Sequence, residues 1–295
     1  MIGPARPGME RQLRELWQTC FQEPARPVNF YLRTLYRPEN CLVYTQGDRL
    51  ASMVHLLPCR VQLADGGTAN AHYIYAAATF PEFRGRGFIS SLLACAAMRG
   101  MERGQTYSAV LPAHDGLIPL YEKAGYRPYY RVTRQTVTAD QLRAACTVPF
   151  AGRRLASWRE LCRRRDRWLQ TRPGSVLWGP DAFFYAAESA RLYGGKLLIA
   201  GEGETLSYAL CSGDGACCEV TEWAVSPQTR AELFGLLLRD APAETYAFRL
   251  PAGGAPLFSD VPCEERPFGM LKPLSGCELP TVLADCPPYL GLSLD

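Results

Sequence analysis

Tyr73–Ala97 reads YIYAAATFPEFRGRGFISSLLACAA, and this stretch decides the fold. Tyr73 to Thr79 is apolar and aromatic, the pattern of a buried strand. Pro81 cannot donate to a ladder and ends that strand. Arg84-Gly85-Arg86-Gly87 follows, and Phe88-Ile89-Ser90-Ser91-Leu92-Leu93 opens a helix. A strand, a glycine-rich turn and a helix together can hold a phosphate. The N–H groups of a first helical turn lack intrahelical partners and point at an anion, and the helix dipole favours negative charge there. Glycine lets the backbone come close to the ligand with no Cβ between. Alone, RGRG is a weak signal and reads more readily as a solvated basic turn. The flanking strand and helix, and Tyr121-Glu122-Lys123-Ala124-Gly125-Tyr126 downstream, favour binding.

Outward from this stretch, Pro7 to Cys20 carries Met9, Leu13, Leu16, Trp17 and Cys20 at helical spacing. A second helix is expected over Val28 to Leu35, ended by Pro38. Cys41–Tyr44 and Leu50–Leu57 read as strands about a Gln46-Gly47-Asp48 turn, and Arg60–Leu63 pairs with Ala71–Thr79 across Asp65-Gly66-Gly67. Beyond the glycine turn come a strand at Gln105–Leu111, a short helix at Gly116–Lys123 closed by Gly125, and a long strand at Tyr126–Val137. The order predicts an α+β fold, a mixed sheet flanked by helices. Ala139–Leu169 reads as one basic helical connection with Arg153, Arg154, Arg159, Arg163, Arg164, Arg165 and Arg167. It is either a solvated face or an anion-binding surface.

The second half echoes the first. Ala224-Val225-Ser226-Pro227 matches Ala78-Thr79-Phe80-Pro81. Thr245-Tyr246 with Leu250-Pro251-Ala252 matches Thr106-Tyr107 with Leu111-Pro112-Ala113, and Arg266-Pro267-Phe268 matches Arg127-Pro128-Tyr129. Matched order at nearly constant offset predicts an internal duplication. After Pro227 the second copy has Gln-Thr-Arg-Ala-Glu-Leu-Phe and no glycine turn, and Asp260 stands near the place of Tyr121. The second copy is therefore expected to keep the fold and lack the anion site. The expected division is 1–138, a basic helical connection 139–172, and a degenerate copy 173–295.

Composition narrows the partners. The net charge is +3 with 21% charged residues, too small a field to make nucleic acid the default partner. The N-terminus lacks the apolar core of a signal peptide, and no apolar run reaches about 18 residues, so no membrane span is expected. Twelve cysteines without a Cys-x-x-Cys, and only three histidines (His55, His72 and His114), predict reduced, mostly buried thiols and no metal. A cytoplasmic location fits. Whether the chain forms a homo-oligomer is left open.

Thr79-x-Pro81-Glu82-Phe83-Arg84-Gly85-Arg86-Gly87 before a helix, with Tyr121-Glu122-Lys123-Ala124-Gly125-Tyr126, resembles the GNAT superfamily of N-acetyltransferases. The duplication and the Tyr-Ile-Tyr-Ala-Ala-Ala-Thr strand resemble more narrowly the enhanced-intracellular-survival type. The motif resemblance covers roughly 41–131. It implies two tandem GNAT-like sheets and acetyl-CoA as co-substrate. The pyrophosphate would lie on the N–H groups from Arg84 through Gly85, Arg86, Gly87, Phe88, Ile89 and Ser90 to Ser91. The pantetheine arm would pair with the backbone of Ala77, Ala78 and Thr79, and the thioester would lie near the gap beside Leu111 to Ala113. Ile89 departs from the superfamily pattern, which has glycine or alanine there; a larger side chain can crowd the phosphate, though the narrower type tolerates larger residues.

The same resemblance implies an acetyl transfer to a primary amine, with Tyr121 protonating the leaving CoA thiolate. The acceptor, whether a small molecule, a peptide N-terminus or a lysine side chain, is not written in the sequence. A base is useful because an alkylamine near pKa ~10.4 must lose its proton. Tyr73 and Tyr75 are poor bases, and His72 should face away from Tyr73 on the strand. The enhanced-intracellular-survival type implies a carboxylate at the C-terminus, so the apolar tail Tyr289–Asp295 is expected either to dock in the first domain and present Asp295, or to close its own domain. An acyl-CoA-binding sensor or scaffold without chemistry is the alternative, and Tyr121 favours an enzyme.

Overall fold

A computed structural model describes residues 1–146, 154–254, 256–274 and 276–292. In chain order the elements are β1 (Ile2–Pro4), α1 (Glu10–Phe21), α2 (Ala25–Thr34), β2 (Cys41–Gln46), β3 (Arg49–Gln62), β4 (Thr68–Thr79), α3 (Phe88–Glu102), β5 (Tyr107–Val110), α4 (Ile118–Lys123) and β6 (Arg127–Thr138). There follow α5 (Ala139–Ala144), α6 (Trp158–Leu169), β7 (Val176–Leu177), α7 (Pro180–Leu192), β8 (Lys196–Ala200), β9 (Ser207–Gly213), β10 (Cys217–Ala224), α8 (Arg230–Asp240), β11 (Thr245–Pro251) and β12 (Cys263–Pro273).

The chain forms two units, and neither is a continuous segment. The first holds Met1–Leu63, Gly67–Tyr129 and Gly269–Pro280. The second holds Ala64–Gly66, Tyr130–Phe268 and Thr281–Asp295. This differs from the expected linear division, because each half gives its last strand away. In the first unit β2, β3 and β4 are antiparallel neighbours, β4 and β5 run parallel, and β5 is closed by Met270–Pro273 of β12. In the second unit β8, β9 and β10 are antiparallel, β10 and β11 run parallel, and β11 is closed by Val132–Thr138 of β6. The two pairing orders are the same, as the duplication predicted, except that each closing strand follows the other copy in sequence.

In the first unit Leu92, Leu93 and Ala96 of α3 pack on Leu42, Val54, Leu56 and Ile74. The opposite face of β3 and β4 is aromatic. Trp17 of α1 and Tyr31 of α2 meet Tyr75 at 5.5 and 5.4 Å between ring centroids. His55 sits among them, buried, with its Nδ1 2.9 Å from the Tyr31 hydroxyl. Burial holds its pKa down to about 3, so it is neutral. β3 runs unbroken through Pro58, where the sequence suggested two strands. β2 pairs no further along β3 than Cys41 opposite His55, so the missing Pro58 N–H deprives β2 of nothing.

In the second unit the core gathers Trp223, Phe234, Phe248, Leu233, Leu237 and Tyr246. The expected single basic helix is two helices, α5 and α6, and 147–153 with Arg153 lies outside the described residues. Arg165 is not on a solvated face. It is buried, and its Nε donates to Glu222 Oε1 at 2.7 Å, Nη1 to Val176 O at 2.7 Å and Nη2 to Leu290 O at 3.1 Å. The other carboxylate oxygen of Glu222 accepts from Leu292 N at 2.7 Å. The tail from Tyr289 to Leu292 is thus buried in the second unit, and the expected docking in the first domain does not hold for these residues. Asp295 lies outside the described residues. Gly291 has φ +47°, and a Cβ on it would stand 2.5 Å from Glu222 Oε2.

Candidate functional site

The site belongs to the first unit and begins where β4 and β5 part. Their parallel register runs from Ala71 opposite Tyr107 to Ile74 opposite Val110, and there β5 ends. β4 continues to Thr79 with β3 alone beside it. Just past the parting, β4 carries a bulge. Met53 pairs Ala78 but His55 pairs Tyr75, so β4 has one residue more than β3 in this interval. Ala76 takes it up with φ +45°, a left-handed conformation that costs a non-glycine residue about 1–2 kcal/mol. Bulges turn a strand and redirect its backbone. Here the result is a β4 edge at Ala77 and Ala78 that no β5 residue covers.

The turn follows at once. Gly85 and Gly87 both have φ +75°, and a Cβ on either would meet no atom within 4 Å, so the space above the turn is open. Gly87 is the N-cap of α3 and offers no side chain to close it. Ser91 N bonds back to Gly87 O at 3.0 Å. The N–H groups of Gly85, Arg86, Gly87, Phe88, Ile89 and Ser90 have no acceptor among the described residues. Backbone donors are rarely left unpaired unless water or a ligand takes them. The second copy shows the contrast. Its turn is closed from within, by Thr229 Oγ1 to Thr205 O at 2.7 Å and Ser226 N to Ser207 Oγ at 2.7 Å.

The arginines divide their tasks. Arg84 folds back, its Nε donating to Thr79 O at 3.2 Å, and so closes the turn on the end of β4. Arg86 donates to Glu82 O at 3.3 Å and lies over the Phe83 ring at 5.5 Å. Arg49, which the sequence reading passed over, pairs with Glu82 and lies over the same ring at 5.0 Å. Three guanidinium groups with one carboxylate make this end of α3 cationic. Phe88 fixes the helix start by stacking on Tyr44, with centroids 3.9 Å apart and planes 13° from parallel.

Ile89 is half-buried at the start of the helix. Its side chain packs against the apolar core of this unit, the cluster that also holds Tyr121, Val110 and Ile74 with Ala77 beside them. Ala77 at the bare β4 edge and Ile89 at the helix start both border the cluster to which Tyr121 belongs. Tyr121 is buried on the six-residue α4, and its ring meets Tyr126 edge-on at 5.7 Å. Tyr126 is held in turn by Ser108, 2.6 Å between hydroxyl oxygens, and burial pushes its phenol pKa up. Ala113 lies exposed in the loop after β5. His72 faces away from Tyr73 as strand alternation predicts, beneath Gly100 of α3, with Nδ1 2.6 Å from Gln105 Oε1. Burial lowers its pKa to about 4, so it is neutral at pH 7 and structural.

All twelve cysteines are free thiols. Cys41, Cys59, Cys162, Cys211 and Cys218 are buried, most others are half-buried, and Cys263 is exposed. Among the described residues no group of three or more His, Cys, Asp or Glu side chains could hold a metal ion. No helix among them is long and apolar enough to cross a membrane.

Residues 2–129 match the family model of the acetyltransferase (GNAT) domain. No curated protein matches the sequence. Among solved structures, a GCN5-related N-acetyltransferase from Anabaena variabilis is similar with a TM-score of 0.72 at 16% identity, over 92% of this chain and 72% of that one. Eis1 from Mycobacterium abscessus is similar with a TM-score of 0.69 at 15% identity, over 93% and 74%. A tandem GNAT protein from the clavulanic acid biosynthesis pathway is similar with a TM-score of 0.52 at 13% identity, over 94% and 99%. At these identities the likeness is one of fold.

Proposed function

We propose that the first unit, whose residues 2–129 match the family model of the acetyltransferase (GNAT) domain, transfers an acetyl group from acetyl-CoA to a primary amine by direct attack. The observation that carries this reading is the row of unpartnered N–H groups from Gly85 to Ser90, next to a β4 edge that β5 has left uncovered. The turn would take the pyrophosphate. The edge at Ala77, Ala78 and Thr79 would pair with the amides of the pantetheine arm as an added strand would. Such a pairing aims the thioester at the gap between β4 and β5, beside the cluster that holds Tyr121.

In the transfer the amine nitrogen bonds to the thioester carbon, the C–S bond breaks, and the amine loses one proton. Tyr121 gives its phenolic proton to the departing sulfur and regains one from solvent. A general acid so placed contributes about 10²–10⁴-fold. Asp295 is proposed as the group that takes the amine proton. Leu292 is itself tied to Glu222, so the informative deletion starts at Ser293. Unchanged turnover by a folded 293–295 deletion would remove Asp295 from the mechanism.

The deciding experiment is acetyl-CoA turnover against an amine panel, for the native chain and Tyr121→Phe. We expect Y121F to lose 10²-fold or more in kcat while binding acetyl-CoA normally. Acetyl-CoA binding without turnover on any amine would instead make the chain a CoA-binding sensor.

A further inference from the structure

The last strand of the first unit brings a lysine to the foot of α4. Lys272 lies opposite Ser108 in the β5–β12 register. Its Nζ donates to Ala124 O at 2.7 Å and stands 5.7 Å from the centroid of the Tyr126 ring. The ammonium is half-buried, and burial lowers its pKa, so it is not a solvated surface lysine. It is one of only three lysines in the chain.

These contacts fall at the places that hold Tyr121. A six-residue helix has no stability of its own, so its orientation depends on its ends and its packing. At the C-terminus of α4, Gly125 with φ +89° closes the helix: Tyr126 N bonds to Tyr121 O at 3.0 Å and Gly125 N to Glu122 O at 2.9 Å. Tyr121 and Tyr126 form the apolar contact that accompanies such a closure. The carbonyl of Ala124 is left over, and Lys272 takes it, with a positive charge where the helix dipole favours one. The same ammonium rests on the ring of Tyr126, whose hydroxyl Ser108 holds and whose ring meets that of Tyr121. Lys272 thus fixes both the helix end and the ring that sets the Tyr121 side chain.

We propose that Lys272 is a positioning residue for the Tyr121 phenol, so that the strand following the second copy sets the acid of the first. This rests on the reading of Tyr121 as general acid given above. The test is steady-state acetyl transfer by K272M, K272R, Y121F and the double variant Y121F/K272M, with a thermal melt of each. We expect K272M to lower kcat about tenfold with the KM for acetyl-CoA within twofold. K272R keeps a charge and a donor and should recover to within threefold of the native rate. In the Y121F background K272M should change kcat less than twofold, because its effect passes through the phenol. Should K272M fail to fold, K272Q carries the same comparison, since it keeps a donor and loses the charge. A K272M that keeps the native kcat, or that lowers it as much in the Y121F background as alone, overturns the proposal. A native rate in Y121F itself sinks the reading of Tyr121, and the single-variant data separate that failure from this one.

Discussion

Replacing Gly87 by alanine separates the backbone cost of the turn from its use. Gly87 caps α3 at φ +75° with open space where a Cβ would go, so no clash attends the change. Holding alanine in that left-handed conformation costs about 1–2 kcal/mol. If the backbone instead relaxes, the neighbouring N–H groups turn away. Either way, the methyl group or the altered amides occupy the place proposed for the pyrophosphate. Hydrogen bonds to a charged group are worth about 1.5–3 kcal/mol each, partly recovered by water. Losing one to two such contacts would weaken acetyl-CoA by about 2–3 kcal/mol, roughly 30- to 150-fold. Gly104 provides the control: it too is left-handed, at φ +66°, with nothing within 4 Å of a Cβ, and it follows the other end of α3. Calorimetric titration with acetyl-CoA and urea unfolding should show both variants losing similar stability and only G87A losing affinity. Native affinity in G87A, or an equal loss in G104A, would refute the assignment of the turn.

Two further outcomes concern stability. R165M leaves Glu222 buried without its guanidinium and frees Leu290 O and Val176 O, so urea unfolding should show a loss of about 3–5 kcal/mol; a loss under 1 kcal/mol would contradict this account of the tail anchor. His55 and His72 are held neutral, with folded pKa values of about 3 and about 4, below the ordinary ~6.5 of an unfolded chain. The unfolded state therefore binds more protons below pH ~6.5, and the stability these residues contribute is fully present above that value and lost as pH falls toward 4. Two protons correspond to a slope of about 2–3 kcal/mol per pH unit between roughly pH 6 and 4. Urea midpoints measured across that range should show a shallower acid limb for His55→Gln and for His72→Gln, and an unchanged slope would count against buried neutral imidazoles.

What the sequence made legible is local. Pro81, the paired glycines and the apolar face of α3 are near neighbours in the chain, and they specify the turn without reference to anything distant. Pro58 sits inside the unbroken β3, beyond the end of β2 at Cys41 opposite His55, and where β2 ends is not visible from β3 itself. The bulge left no trace, since an alanine at φ +45° looks like any other alanine. Arg165 was readable in principle: Leu161, Cys162, Arg165 and Leu169 fall on one helical stripe, and three of the four are apolar or thiol. Asp260 proved uninformative. The second copy has a turn there instead of α4, pinned by Gln135 Nε2 to Phe258 O at 2.7 Å and to Val261 O at 2.9 Å. Lys272 and the exchanged strands depend on pairings across more than a hundred residues, which no local pattern encodes.

The exchange also governs how the chain can be made and how it can change. β5 leaves the ribosome about 160 residues ahead of the strand that covers it, which at 5–20 residues per second is roughly 10–30 s. For that time the nascent first unit has an open edge beside its apolar core, a surface that invites chaperones or misassembly. Inheritance is constrained in the same way. A duplicate that has lost its own binding turn would ordinarily be free to decay or be deleted. This one cannot be, because removing it takes away β12, and with it the closing strand of the copy that kept the turn.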